Sequence, residues 1–160
     1  MLVSNSIDRR LTLDELDGQR WPEPTPDATS LVKAVHALRA RPIGSLTVEE
    51  LRRLIGQNVG VSFLLPLALA ILRNTAPEQA EGGFYDDDLL SAVLTVNPAT
   101  WARSPQFAQE LKCIVASLRD VSPYIESDIQ AFQRALPDDV CQASIGGRTN
   151  THCWQTSCRS

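Results

Sequence analysis

The chain has 160 residues, 43% of them hydrophobic and 21% charged, and carries 15 Lys and Arg against 19 Asp and Glu, a formal charge of −4 at pH 7. That length suits a single domain able to bury roughly 70% of the surface its unfolded chain exposes. The acidic balance argues against a general nucleic-acid binder, which is more often basic. The first ten residues, Met1 to Arg10, contain no apolar h-region, so no signal peptide is expected and the expected location is cytoplasmic. The four cysteines, Cys113, Cys141, Cys153 and Cys158, follow no extracellular spacing pattern, and a core of this size requires no disulfide framework.

Residues 1–26 read as an N-terminal lead-in, polar up to Arg20, with a short helical turn at Leu11 to Leu16. Pro22, Pro24 and Pro26 alternate with Glu23 and Thr25, which forbids helix and favours an extended connection. Trp21 at its head is expected to anchor on the core, as large aromatics usually do. The next helix would be capped by Asp27, with Leu31, Ala34, Val35 and Leu38 as its apolar stripe and Lys33 and His36 on the opposite side. His36 then reads as a surface histidine, since no nucleophile is patterned near it.

After Pro42 and Gly44, Thr47 and Glu50 form a capping box, so a helix starts at about Val48. Val48, Leu51, Leu54 and Ile55 share one side of it, and Glu49 and Arg53 pair four apart on the other. Gly56 and Gly60 should separate this helix from a second near Gln57 and Asn58. From Val59 to Leu72 the polar face disappears, which predicts a central core helix covered on all sides. Pro66 lies inside it, so the helix should start late or kink there. The run is shorter than the roughly 20 apolar residues of a membrane span and stands between Arg53 and Arg73.

A loop is expected from Thr75 to Gly83, with Pro77, Gly82 and Gly83 as breakers. Leu89, Leu90, Val93 and Leu94 then continue as the face of a helix in which Asp86, Asp87 or Asp88 is the N-cap. Three consecutive carboxylates diverge by about 100° each at a helical start, and neither a glycine-spaced loop nor a later Glu completes an EF-hand, so no metal is expected. Asn97 and Pro98 start a short turn carrying Trp101, and Ser104 and Pro105 open a long helix striped with Phe107, Leu111, Ile114, Val115 and Leu118. Ile125, Ile129, Phe132 and Leu136 mark a final amphipathic helix ending at Pro137. Beyond it the pattern stops. Cys141, His152, Cys153 and Cys158 lack zinc-ligand spacing, so residues 137–160 read as a flexible C-terminal tail. The expected fold is all-α, a single compact bundle of about five to seven helices whose body is residues 27–136, with no cofactor.

Charge is unevenly distributed. Residues 31–73 carry six basic and two acidic groups, whereas residues 74–102 carry Glu78, Glu81, Asp86, Asp87 and Asp88 and neither Lys nor Arg. An acidic run of this kind ordinarily forms a solvated face. Next to Phe84 and Tyr85 it also has the chemistry of a docking surface for a basic protein.

Two blocks in order resemble the small α-helical immunity proteins of bacterial contact-dependent growth inhibition systems. Leu51, Arg52, Leu54, Ile55, Gly56, Gln57, Gly60, Pro66, Leu67, Ala68 and Leu69 match the first block of that pattern. Glu81, Gly82, Phe84, Tyr85, Asp88, Leu89 and Leu90 match the second, while Gly83 and Asp87 stand where the pattern has an acidic residue and a glycine. The resemblance spans roughly residues 46–118 and implies a cytoplasmic protein that binds the C-terminal toxin domain of a cognate CdiA-type protein. The toxin it implies is a nuclease with a basic cleft, neutralised without catalysis, nucleic acid or membrane. Glu78, Glu81, Phe84, Tyr85, Asp86, Asp87 and Asp88 are then the candidate toxin-binding residues. The alternatives are a helical DNA-binding regulator using the Val48 to Leu72 pair, and a protein-interaction adaptor. An enzyme is disfavoured, because no nucleophile–base pair, phosphate loop or metal-ligand cluster is patterned.

Overall fold

The structure, a computed structural model, describes residues 7–82 and 88–136. Among these residues the fold is all-α, with eight α-helices, one 3-10 turn and no strand. The count exceeds the expected five to seven because the two short turns anticipated near residues 11 and 98 are helices in their own right, α1 (Leu13–Asp17) and α6 (Pro98–Arg103). No helix among the described residues is long and apolar enough to cross a membrane.

α1 is closed at both ends. The Thr12 hydroxyl accepts from the Glu15 amide, the Glu15 carboxylate accepts from the Thr12 amide at 2.7 Å, and Gly18 ends the helix in the left-handed conformation. Preceding residues pair back onto the 3-10 turn Ile43–Ser45: the Ile43 amide donates to Leu11 at 2.9 Å and the Gly44 amide to Arg9 at 2.8 Å. Leu13 thereby enters the core fully buried.

α2 (Ser30–Arg39) is capped by Thr29, not Asp27, because the Thr29 hydroxyl reaches the Val32 amide. Its buried residues are Val35, Leu38 and Arg39, and Leu31, in the first turn, is exposed at 43%. Arg39 is the most buried charged residue among the described ones, at 2% exposure. Its guanidinium binds Asp14 at 2.9 Å and Asp17 at 2.8 Å and lies 4.1 Å from the Trp21 ring centre, which locks α1 onto α2. Trp21 therefore anchors on the surface of α2, between Arg39 and His36, and remains 39% exposed instead of entering the core.

α3 (Val48–Gly56) carries the expected capping box, the Glu50 carboxylate accepting from the Thr47 amide at 2.8 Å. Leu51, Leu54 and Ile55 are buried, but Val48, in the first turn and ahead of the contact with the core, is exposed. Gly56 ends the helix, and a turn with positive φ at Asn58 and Gly60 leads to α4 (Val61–Gly82).

α4 corrects two expectations. It continues through Pro77 to Gly82, where a loop was expected from Thr75, and it is not covered on every side: Ser62, Arg73 and Pro77 are exposed and Pro66 is half-buried. These four positions share one stripe of the helix. A proline deprives the carbonyl four residues back of its donor, and here those carbonyls belong to Ser62 and Arg73, on the side where water can replace the lost bond. Leu64, Leu65, Ala68, Leu69, Leu72, Ala76 and Ala80 are at 0% exposure along the helix, so packing continues across both prolines.

The element covered on all sides is instead α5 (Leu89–Leu94). All six of its residues are buried, with α3, α4 and α8 (Pro123–Ala135) packed around it. α7 (Pro105–Ala116) packs on α4 and on α6, with an Arg73–Glu110 ion pair linking α4 to α7. Ser104 stands before proline at the start of α7, as expected, and Ser122 stands likewise before Pro123 at the start of α8, its hydroxyl accepting from the Ile125 amide. Trp101 of α6, fully buried, meets Phe132 of α8 edge-on at 5.2 Å.

Candidate functional site

The acidic run lies between the C-terminus of α4 and the N-terminus of α5. Glu78 is exposed on α4, Glu81 stands in that helix's last turn, and Asp88 is the N-cap of α5. Phe84, Tyr85, Asp86 and Asp87 lie outside the described residues.

Both mounts of the run are firmly tied to the core. The Ser122 amide donates to the Ala80 carbonyl at 2.9 Å, fastening the end of α4 to the start of α8. The Ser91 hydroxyl donates to Asp128 at 2.7 Å, fastening α5 to α8. Between α4 and α5 the link is Gln79, whose side-chain oxygen accepts from the Leu90 amide at 2.9 Å while its NH2 donates to the Thr75 hydroxyl at 3.2 Å. Asp88 caps by position, with extended backbone at ψ 141°, but its side chain makes no capping hydrogen bond. Gln79 fills that role from a neighbouring helix, satisfying one of the amides that every helix start leaves open. A glutamine assigned to a loop gave no sign of this. Only the helical spacing of Thr75 and Gln79, visible once α4 is continued past Pro77, would have suggested it.

His36 is half-buried against Trp21, ring centres 5.3 Å apart, on α2. Cys113, half-buried on α7, is disulfide-bonded and so offers no thiolate. Among the described residues no three His, Cys, Asp or Glu are grouped to hold a metal. Cys141, His152, Cys153 and Cys158 lie outside the described residues.

The α3–α4 pair is unsuited to reading DNA. A recognition helix presents polar and basic side chains to the groove, whereas α4 has its Leu64 to Leu72 side in the core. Arg52 and Arg53 of α3 are both engaged by Glu49.

Comparison with known proteins bears on the same region. A family model described as CDI immunity proteins (CdiI_3) matches residues 15–111. No curated protein and no solved structure matches the chain. The family match runs from within α1 into α7, so it takes in Arg39 with Asp17 and Trp21, the turn at Gly60, all of α4 and α5, and the acidic run between them. It covers more than half of the sequence, and the chain belongs to the family of CDI immunity proteins.

Proposed function

We propose that this protein protects its cell by binding the C-terminal toxin domain of a cognate CdiA-type protein in a stoichiometric complex, with no chemistry of its own. The acidic run from Glu78 to Asp88 is the docking surface, and the toxin presents a basic face to it, as a nuclease cleft would. The observation that carries this reading is the family match over residues 15–111, within which the run joins two helices anchored in the core. Carboxylates at such a place suit a partner built to hold phosphates, because they occupy the same cationic pockets and speed encounter by charge attraction. Rigid mounting lowers the ordering cost of binding, since the ends of the run are already fixed by Gln79 and by the Ser122–Ala80 bond.

The test is growth protection. Co-expression with the cognate toxin domain should restore growth, and a variant with Asp86, Asp87 and Asp88 all replaced by Asn should protect less at equal abundance. Full protection by that variant would remove the acidic run from the mechanism, and absence of protection by the wild-type chain would remove the immunity reading.

A further inference from the structure

The incomplete cover of α4 leaves a groove of about 370 Å³ between its middle turns, α3 and the N-terminal arm. This volume falls within the roughly 300–1,000 Å³ of ordinary ligand pockets. Its floor is apolar, built from Leu46, Leu51, Leu67, Ala70 and Ile71. Leu51 and Leu67 are buried, but Leu46, Ala70 and Ile71 are only half-buried, so the apolar floor reaches solvent.

One edge of the groove is Arg9, an exposed cation. Its place is fixed by the backbone. The Gly44 amide donates to the Arg9 carbonyl at 2.8 Å, and a Cβ on residue 44 would stand only 2.8 Å from the Arg9 Cβ. The arm approaches this closely because position 44 has no side chain.

The other end leads into the acidic run. Leu67, Ile71, Asn74 and Glu78 recur at spacings of four, three and four along α4, so they lie on one face of the helix. The floor of the groove therefore continues through Asn74 to Glu78, an exposed carboxylate one turn further on. An apolar slot with a cation at one edge and a carboxylate one turn beyond its other end has the anatomy of an interface core within a polar rim.

We propose that this groove is the apolar anchor site of the toxin interface. It receives one aliphatic or aromatic side chain of the toxin domain, from a segment whose neighbouring Lys or Arg pairs with Glu78 and whose carboxylate or carbonyl oxygen faces Arg9. The inference rests on the reading that the chain binds a toxin, and it extends the contact from the acidic run to the described face of α4. The two parts act on different steps: the carboxylates of the acidic run govern encounter, and a desolvated anchor governs residence time.

Association and dissociation rates of the full chain with its purified toxin domain separate them. Ala70→Phe fills the groove from a half-buried position, and Arg9→Glu reverses the charge at its edge without touching the backbone bond. Each should raise the dissociation rate by about tenfold or more, the scale of a lost anchor, with the thermal midpoint of the free protein unchanged for Arg9→Glu. Replacing Asp86, Asp87 and Asp88 by Asn should act mainly on the association rate. If both groove variants dissociate within about twofold of wild type while the Asn variant associates slowly, the groove lies outside the interface and the acidic docking stands. Should Ala70→Phe fail to fold, Arg9→Glu alone decides. Faster dissociation of the groove variants with an unaltered Asn variant would uphold the anchor and remove the acidic run. A wild-type chain that does not bind the toxin overturns both.

Discussion

Gly60 is constrained twice over. Its φ of +60° is a region that L side chains enter at a cost of about 1–2 kcal/mol, and a Cβ there would stand 2.5 Å from Cδ2 of the fully buried Leu13. Relieving that overlap means moving a core leucine, which typically costs about 1–3 kcal/mol more. Gly60→Ala should therefore lower unfolding free energy by about 2–4 kcal/mol, read from the urea midpoint at an unchanged m-value. Arg39 makes a different demand. Its side chain is 2% exposed, but its carboxylate partners Asp14 and Asp17 are 22% and 31% exposed, so solvent weakens the pair. Arg39→Ala should cost about 2 kcal/mol, below the 3–5 kcal/mol of fully buried pairs, and Asp14→Asn should cost less than Arg39→Ala because Asp17 remains. Glu50 supplies a pH-dependent element. The Thr47 amide, and then Arg41, hold its carboxyl below the ordinary glutamate value of 4.5. A depressed value means that the capping box contributes fully above the unfolded-state pKa and is lost as pH falls through the folded one. Glu50→Gln should thus destabilise the protein at neutral pH and flatten its acid unfolding curve below about pH 4.5.

At the scale of elements, a six-residue helix with every residue buried organises the molecule around itself, and the acidic run enters it at Asp88. Because Gln79 caps that helix from α4, Gln79→Met should destabilise by about 1 kcal/mol, the usual worth of a cap, whereas Gln79→Glu, which keeps an acceptor for the Leu90 amide, should lose less. A pair of urea curves distinguishes the two. The element pattern was largely legible in the sequence wherever local chemistry decides it. The Thr47–Glu50 box, the serine-then-proline start of α7 and the Gly56–Gly60 break all stand where spacing puts them. The misreadings occur where tertiary packing overrules a local signal. Pro77 is a breaker in isolation, yet the burial of Ala76 and Ala80 carries α4 past it with the vacant carbonyl turned to water. Val48 and Leu31 have the right periodicity and lie outside the contact all the same. Nothing in a short apolar run separates a helix buried on one face from one buried on all, so α5 could not be told from α4 as the central element. Of the candidate site, Glu78, Glu81 and Asp88 fall at the junction of α4 and α5, while the groove beside Arg9 depends on a contact between residues 9 and 44 that no periodicity encodes.

For the whole molecule, charge and fold divide the work. The bundle encloses Trp101, Phe132 and the leucines of α4 and α5 in one core, and the run from Glu78 to Asp88 carries five carboxylates with neither Lys nor Arg. If immunity is stoichiometric binding guided by those carboxylates, affinity must fall with ionic strength, because screening shortens the reach of exposed charges to about 8 Å at physiological salt. The measurement that bears on this most directly is titration calorimetry of the full chain against its purified cognate toxin domain at low and at high salt. The account predicts a 1:1 complex of roughly nanomolar affinity that weakens at the higher salt. Absence of a complex would contradict binding as the basis of immunity, and a tight complex indifferent to salt would contradict the acidic run as its guide.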